Sequence, residues 1–454
     1  MSKTTGTRFP LNSVSRPLTR RRFLRGAAQA AGAAALGGSV ISLMACEKKA
    51  PSAKKGRSIH LLQWSNFVKP ADEEIIRQGK EFESQTGVKI TLEMINANDL
   101  PARATAAVES KQGPDAIQLQ WNQAHLYAGG LADVDAVAEE LGQGHGGWYD
   151  TAIAAAKVGD HWKAIPYNIV GNGVAYRRDK FDELGIKAFP ETWDEYLKVG
   201  SQLKKAGFPI GQTLGHTFGD APTFCYPLLW SFGGAELASD GKTVGINTPA
   251  AVQAVKFMKE FWNAACDQGG LSWDDTSNNR AFLAGTIGAT LNGASIYFLA
   301  RNQPDSYPGL ADKIEHGLLP KGPAGRFHLP LNFQHGIMDY SPNKEAAIDF
   351  VKFLMAKENF DKWFVTCQGY SLGAGNLWSN HEMWNKDPRV TVYREMAKYG
   401  RLFGWPGPYN RLASEVQAKY IIIDLFAKVV QGTDTPESAV TWAEKELKNV
   451  YQRA

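Results

Sequence analysis

The sequence has few of the residues that build metal or redox sites. It contains 4 cysteines in 454 residues, and Cys225, Cys266 and Cys367 stand too far apart for a C-x-x-C pair. Its 9 histidines form no H-E-x-x-H pattern, so we expect no catalytic metal and no cofactor. Outside the cytoplasm the three cysteines leave two arrangements open, one disulfide with one free thiol or three buried thiols.

The first 45 residues lack acidic side chains altogether. They hold seven basic ones, so they contribute +7 to a net charge of +4, and the remaining 409 residues carry −3. The basic balance of the chain therefore belongs to this segment and gives no indication of nucleic-acid binding. An aromatic content of 11% excludes a disordered composition, and 409 residues suffice for two compact domains.

The segment from Thr19 to Cys46 has the layout of an export signal, with basic, apolar and then small residues. Residues 19–25 are close to the twin-arginine form, and the run over 26–45 is too rich in Ala and Gly for a confident membrane span. Leu43-Met44-Ala45-Cys46 resembles a bacterial lipobox. We predict a signal over 1–45, a lipid-bearing Cys46 and a flexible tether over 46–57. The protein is then exported to the periplasm or the outer face of the cytoplasmic membrane, with a lipid anchor.

Strands and helices alternate after the tether. The pattern predicts strands at 59–64, 88–94 and 115–119, with helices at about 72–85 and 101–111 between them. This alternation indicates an open parallel α/β sheet, which binds ligands at the carboxyl ends of its strands. Two of the three strand ends carry a tryptophan, Trp64 and Trp121, which either contacts a ligand or closes the sheet edge.

Four later helices have start signals. Thr192 and Glu195 have the spacing of a capping box, and a hydroxyl residue precedes each of Pro249, Pro342 and Pro436.

Eight short segments follow the order of one known family. They are 86–90, 113–117, 165–167, 192–196, 281–286, 319–326, 341–347 and 431–439. In these segments the chain resembles the extracellular solute-binding proteins of family 1, the receptors of bacterial ABC importers, over essentially all of residues 58–454.

The resemblance implies a two-lobed periplasmic-binding-protein fold, in which each lobe is an open sheet flanked by helices and the ligand cleft lies between the lobes. It places crossovers near 167–171, 329–334 and 368–375. The N-terminal lobe is then 58–168 plus 334–372, and the C-terminal lobe is 169–333 plus 373–454. It also implies a monomer whose partners are a small solute and the membrane subunits of an ABC importer, with hinges that absorb lobe closure.

Aromatic and amide residues stand at the predicted cleft positions. Flat apolar faces with neutral bidentate groups suit a sugar or polyol, whereas a phosphate ester requires basic groups and a polyamine requires carboxylates. These loops hold few charges of either sign, which favours a neutral sugar, oligosaccharide or polyol. About half of the aromatic residues are expected to pack in the core instead. The predicted ligand-binding residues are Trp64, Asn66, Gln120, Trp121, Tyr167, Asn168, Tyr226, Trp230, Asn292, Trp405, Tyr409 and Asn410.

An enzymatic alternative comes from residues 369–373, which match the G-x-S-x-G pattern of serine hydrolases around Ser371. The residues that follow begin a helix poorly, and the only later histidine is His381. We therefore predict a binding protein that is not an enzyme. Two alternatives stay open, a receptor of the same fold for a charged solute such as a polyamine or a glycerol phosphate ester, and an exported hydrolase that uses Ser371.

Overall fold

A computed structural model of the protein describes residues 57–452. The predicted signal over 1–45, Cys46 and nearly all of the predicted tether lie outside the described residues. The strands are β1 Ser58–Trp64, β2 Lys89–Ile95, β3 Ala116–Gln120, β4 Lys157–Val158, β5 His161–Trp162, β6 Ile165–Val170, β7 Gly173–Arg177, β8 Ala289–Asn292, β9 Ile314–Gly317, β10 Leu331–Ile337 and β11 Ser371–Gly373.

Six strands form the sheet of the first lobe in the order β11-β6-β10-β3-β1-β2. β1 pairs in parallel with β2 and β3, which confirms the predicted alternation for the first three strands. β10 runs antiparallel to β3 and β6, and β11 runs antiparallel to β6, so the complete sheet is mixed. The second lobe contains a smaller antiparallel sheet, β8-β7-β9, and β4 and β5 form a separate hairpin.

Helices flank both sheets. The two predicted between the first strands are confirmed at α1 and α2, with ends within a few residues of the predicted ones. The helices are α1 Lys69–Thr86, α2 Leu100–Ser110, α3 Gln123–Leu126, α4 Asp135–Gly144, α5 Asp150–Ala156, α6 Arg178–Glu183, α7 Trp193–Lys205, α8 Asp220–Ser231, α9 Pro249–Ala265, α10 Ser277–Leu283, α11 Ser295–Asn302, α12 Lys344–Met355, α13 Lys357–Thr366, α14 Thr391–Glu395, α15 Arg411–Ala418, α16 Ile421–Val430 and α17 Pro436–Tyr451.

Three of the four predicted helix starts are confirmed. Thr192 and Thr435 both cap their helices in a capping box, and Thr248 caps α9. The start predicted at Ser341–Pro342 is wrong, because α12 begins at Lys344. The Ser341 hydroxyl instead donates a hydrogen bond to Asp115 at 2.6 Å and accepts one from the Asn343 N–H at 2.9 Å, so it closes a turn and ties that turn to the start of β3.

The chain crosses between the two sheets at connections of different lengths. β6 leads directly through residues 171–172 into β7, and β9 returns to β10 through residues 318–330. A Cβ on Gly173 would lie 2.6 Å from the carbonyl oxygen of Gly317, so only glycine fits at this crossover. The predicted lobe boundaries at 168, 334 and 372 fall inside β6, β10 and β11, because the first sheet holds each of these strands as a whole.

The described cysteines Cys225, Cys266 and Cys367 are all buried free thiols, which is the second of the two predicted arrangements. Burial raises the pKa of each thiol, so none of them has the character of a reactive thiolate. Within residues 57–452 no helix combines the length and the apolar character needed to cross a bilayer.

A buried carboxyl joins the C-terminal helix to the second lobe. Glu236 is fully buried and accepts hydrogen bonds from the hydroxyls of Tyr451 at 3.3 Å and Tyr226 at 3.5 Å. Burial raises the pKa of Glu236 from 4.5 to about 8, and the hydrogen bonds oppose this only in part. The folded chain therefore holds this proton over a range in which the unfolded chain has released it.

Glu236→Gln should change how stability depends on pH. Because the pKa is higher in the folded state, the free energy of unfolding of the unaltered protein falls as pH rises from 4.5 to 8, by on the order of 3–5 kcal/mol for this group. The variant lacks this contribution. The melting temperature of the variant minus that of the unaltered protein should therefore increase by several degrees from pH 5 to pH 8. For the exposed control Glu139→Gln, the difference in melting temperature from the unaltered protein should be the same at both pH values. A difference that is equally independent of pH for Glu236→Gln would contradict the raised pKa of Glu236.

Candidate functional site

A cleft lies where the carboxyl ends of β1, β2 and β3 face the loops of the second lobe. It consists of two cavities of about 520 and 480 Å³, which we call the polar chamber and the aromatic chamber. Asn98 and Phe218 line both chambers, so the two adjoin. Volumes of this size are typical of small-molecule sites, and the position follows the general rule for ligands in open α/β sheets.

The first-lobe wall of the polar chamber comes from residues just after β1 and β2. Trp64 stacks on Phe333, with ring centres 5.0 Å apart and planes 3° apart, and meets the edge of Phe67 at 5.5 Å. Asn66 is oriented from both sides, since its N–H donates to Asp72 at 3.0 Å and its side-chain oxygen accepts from the Val68 N–H at 2.8 Å. Two further amides, Asn96 and Asn98, follow β2 into the chamber, and Tyr370 lines it from beside β11.

The second-lobe wall is made of carboxyl and amide side chains. Asp275 accepts from the backbone N–H groups of Gly219 at 3.0 Å and Asp220 at 2.8 Å, so it caps the start of α8. Asp220 is buried and accepts from the Asn278 side chain at 2.6 Å. The Asn292 amide donates to Asn279, and its oxygen accepts from the Ser295 hydroxyl at 2.9 Å. This wall therefore offers fixed polar groups to a ligand.

The aromatic chamber is built around Trp121, the residue after β3. Its φ of 51° is unusual for a bulky side chain, and the backbone is fixed because its N–H donates to Asn332 at 3.0 Å and its carbonyl accepts from the Gln334 side chain at 2.7 Å. The ring packs against Phe403 at 5.2 Å and Phe218 at 6.1 Å. Its indole N–H has no hydrogen-bond partner among the described residues.

Two more aromatic surfaces complete this chamber. His216 and Tyr420 stack with ring centres 4.3 Å apart and planes 5° apart, and the His216 ring nitrogen lies 2.7 Å from the Asp424 carboxylate. Asn122 donates to the Phe403 carbonyl at 3.1 Å, and its own carbonyl accepts from Ser414 at 3.0 Å. The end of β3 is thereby bonded to the C-terminal segment of the chain.

The structure brings four of the predicted ligand-binding residues to the cleft. Trp64, Asn66 and Asn292 line the polar chamber, and Trp121 lines the aromatic chamber. Each of them lies at the end of a strand or within two residues of it. This is why their positions in the sequence were enough to predict them.

Five predicted residues lie in the core instead. Tyr167 packs among His335, Phe360 and Trp363 on the face of the first sheet. The other four are Gln120, which donates to the Ala97 carbonyl, Asn168, which donates to Ser371, Tyr226, which bonds Glu236, and Trp230, which packs on Trp405. Their polar atoms or rings serve packing between elements, and none of them lines either chamber.

Three predicted residues near the C-terminus also lie away from both chambers. Trp405 packs between Phe327 at 5.1 Å and Trp230 at 5.9 Å. Tyr409 is half-buried, and burial raises the pKa of its hydroxyl. Asn410 caps α15 by accepting from the Ala413 N–H at 3.0 Å. Phe403, a few residues earlier, is the member of this segment that reaches the cleft.

Several cleft residues were not predicted from the sequence. Asn96 and Asn98 could have been found, because they directly follow a predicted strand. Asp220 and Asp275 are 55 residues apart, and the sequence around Asp275 is typical of a solvated loop. Only the folded structure brings the two aspartates together. The loops that hold the predicted ligand-binding residues contain few charges, as predicted. Three aspartates from other segments, Asp220, Asp274 and Asp275, nevertheless line the polar chamber.

The G-x-S-x-G segment does not form a nucleophile elbow. Ser371 begins the short strand β11 and is fully buried, and its hydroxyl accepts from the Asn168 amide at 3.1 Å. No histidine is among its hydrogen-bond partners in residues 57–452, and neither chamber includes it. The strand–turn–helix geometry that exposes a hydrolase serine is thus missing here. The same part of the chain holds no cluster of three or more metal-ligating side chains.

A cleft between two α/β lobes, with aromatic and amide walls from both, is typical of a small-molecule binding site. The family profile described as bacterial extracellular solute-binding protein matches residues 78–391, which is more than two thirds of the chain. The chain belongs to this family of bacterial extracellular solute-binding proteins, whose members are exported.

Individual relatives agree with this assignment. A probable ABC transporter-binding protein of Deinococcus radiodurans is 24% identical over 324 residues, covering 66% of this chain and 74% of the relative. A Thermotoga lettingae ABC transporter solute-binding protein, solved with alpha-D-tagatose, has a TM-score of 0.76 at 16% identity and covers 87% of this chain and all of the other. Maltose-bound T. maritima MalE3 has a TM-score of 0.73 at 20% identity, covering 86% and 99%. These relatives are binding proteins, and the structures confirm the two-lobed fold.

Ser371→Ala should act on stability and not on chemistry. Removing the hydroxyl leaves the buried Asn168 amide without its acceptor, which should lower the free energy of unfolding by about 1–3 kcal/mol in a denaturant titration. The exposed Ser306→Ala should change it by less than about 0.5 kcal/mol. Ester turnover that Ser371→Ala abolishes, in a variant as stable as the unaltered protein, would instead support the hydrolase.

Proposed function

We propose that this protein is the receptor of a bacterial ABC importer and captures a sugar, an oligosaccharide or a polyol between its lobes. The observation that carries the proposal is the composition of the cleft, which combines aromatic rings with asparagine amides. Trp64 and Trp121 offer flat faces to the C–H surfaces of a sugar ring, while Asn66, Asn279 and Asn292 can bind pairs of hydroxyls. The relatives solved with tagatose and maltose support the same ligand class.

Capture requires no covalent step. The two walls of the polar chamber belong to different lobes, so a ligand contacts both completely only when the lobes approach each other. A ligand that binds the closed form more tightly shifts the population toward it, and the closed receptor is what the membrane subunits recognise. The crossovers at 171–172 and 318–330 are the segments that can absorb the backbone change.

A receptor for a charged solute is the second candidate, and the aspartates of the polar chamber favour one charge sign. Asp220, Asp274 and Asp275 would attract a polyamine and repel a glycerol phosphate ester. Polyamine binding to the aspartates of the polar chamber should weaken with added salt, because salt screens the attraction of the cation to the cleft, whereas sugar binding should not.

A thermal-shift screen against sugars, polyols, polyamines and phosphate esters tests the proposal. A ligand present at a thousand times its dissociation constant adds about 4 kcal/mol to the folded state, which a melting curve resolves easily. Stabilisation by one class of sugar or polyol would support the proposal. Stabilisation by polyamines alone would replace it with the second candidate.

Trp121→Ala should weaken binding of the ligand found in that screen by at least ~2 kcal/mol, or about 30-fold, in isothermal titration calorimetry, because the variant loses a stacking face. Since Trp121 is almost fully buried, Trp121→Phe should be measured beside it and should lose less while retaining the packing. Trp442→Ala is the matched control, because Trp442 is half-buried on the C-terminal helix α17, and it should leave the affinity unchanged. Equal affinities for Trp121→Ala and the control would assign Trp121 to packing alone.

We also propose that residues 1–45 direct export and that Cys46 carries a lipid which anchors the receptor to the membrane. The support is the order of the twin-arginine-type and lipobox patterns in the sequence. Cys46→Ser should move the protein from the membrane fraction to the soluble fraction of its host and remove the acyl mass from the N-terminal peptide. Retention of both would contradict lipidation at this residue.

A further inference from the structure

The polar chamber holds more carboxyl groups than cationic side chains. Three aspartates line its second-lobe wall. Among the described residues that line the chamber, one side chain is cationic, that of Lys69 on the opposite wall. The Lys69 ammonium already lies 3.4 Å from Asp72 and 3.0 Å from the Ser65 hydroxyl, and its side chain is 70% exposed. It therefore adds little positive charge to the second-lobe wall.

Two of the three aspartates are occupied within the fold. Asp275 uses both oxygens on the N–H groups of Gly219 and Asp220 at the start of α8, where a negative charge is favourable. Asp274 accepts from the hydroxyls of Thr276 and Ser277 at 2.8 and 2.7 Å and lies 3.6 Å from Arg280. Neither of them needs a ligand.

Asp220 differs from both. It is only 8% exposed, and its Oδ2 accepts from Asn278 at 2.6 Å, but its Oδ1 accepts no hydrogen bond from any described residue. Burial, followed by the charge of Asp275, raises the pKa of Asp220 well above its usual range. This is the behaviour of a carboxyl that faces a cavity without a counter-charge.

We propose that Asp220 forms an ion pair with a protonated nitrogen of the bound ligand, so that the captured carbohydrate is a basic amino sugar. The inference rests on the proposed function and narrows it. A sugar hydroxyl could bond to Oδ1 but would leave Asp220 in the protonated form that burial favours, whereas a protonated amine enclosed with it by lobe closure stabilises the carboxylate. A protonated amine supplies the hydrogen bond and the opposite charge together.

The rings across the chamber suit the same ligand. Trp64, Phe67 and Tyr370 form one cluster on the first-lobe side, with the Trp64 ring centre 5.5 Å from Phe67 and 6.1 Å from Tyr370. Tyr370 lines the same chamber as Asp220, from the first-lobe side. A Cβ on Gly293 would lie 3.0 Å from the Tyr370 ring, so glycine permits this approach between the lobes. Aromatic faces stabilise a cation as well as stacking on sugar C–H groups.

Isothermal titration calorimetry with matched sugars tests the inference. The probes are glucose, galactose and mannose, their 2-amino-2-deoxy forms, the corresponding N-acetyl forms, and spermidine. For the configuration that fits the cleft, the amine should bind at least 10-fold more tightly than the parent sugar, and N-acetylation, which removes the charge, should abolish the gain. This comparison uses the unaltered protein.

Asp220→Asn keeps the size of the side chain and an acceptor for Asn278, and it should reduce the preference for the amine to less than 3-fold. Asp305→Asn, an exposed change in the same lobe, should retain the full preference. Neutral sugars that bind as tightly as the amines, or a preference that survives Asp220→Asn, would overturn the inference and leave the carbohydrate receptor standing. Binding of spermidine with no sugar, or binding of none of the probes, would overturn the amino-sugar assignment, and the spermidine result would overturn the carbohydrate receptor as well.

Discussion

The parallel pairing of β1 with β2 on one side and β3 on the other is the constraint on which the cleft depends. The register places Trp64 beside Ile95, so residues 65–66 and 96–98 leave the sheet next to each other. β3 ends beside them and turns through Trp121 into the second chamber. Both chambers therefore receive their first-lobe wall from one edge of one sheet, and a change of register would separate them.

The buried carboxyls show how the fold distributes the cost of desolvation. Asp275 is compensated by the N–H groups of α8, and Glu236 by two tyrosine hydroxyls while it retains its proton near neutral pH. Both arrangements are complete without a ligand. Asp220 is left with one oxygen free at the cavity, and a perturbed carboxyl that faces a cleft is a candidate functional group.

Strand periodicity and strand ends were readable from the sequence, because alternation and turn residues are local properties. That is why the first three strands, their helices, Trp64 and Trp121 were predicted, and why eight ordered segments indicated the family. Whether a tyrosine or tryptophan faces the core or the cleft is not local. Tyr167, Tyr226 and Trp230 are residue types that often contact ligands, but they lie on faces that later elements of the chain cover. Asp220 and Asp275 meet only through the packing of α8 on the loop before α10.

The two chambers differ in how much they can change when the lobes close. The aromatic chamber is already tied together, since Asn122 bonds the Phe403 carbonyl and Ser414, and Trp121 packs on Phe218 and Phe403. In the polar chamber Phe67 is still 46% exposed, and the Asn96 and Asn98 amides stand opposite the aspartates. The lobe closure proposed above would therefore gain most of its new contacts in the polar chamber. A ligand shifts a conformational equilibrium only through contacts that differ between the two states. In the proposed receptor, the group that occupies the polar chamber therefore determines whether binding closes the lobes.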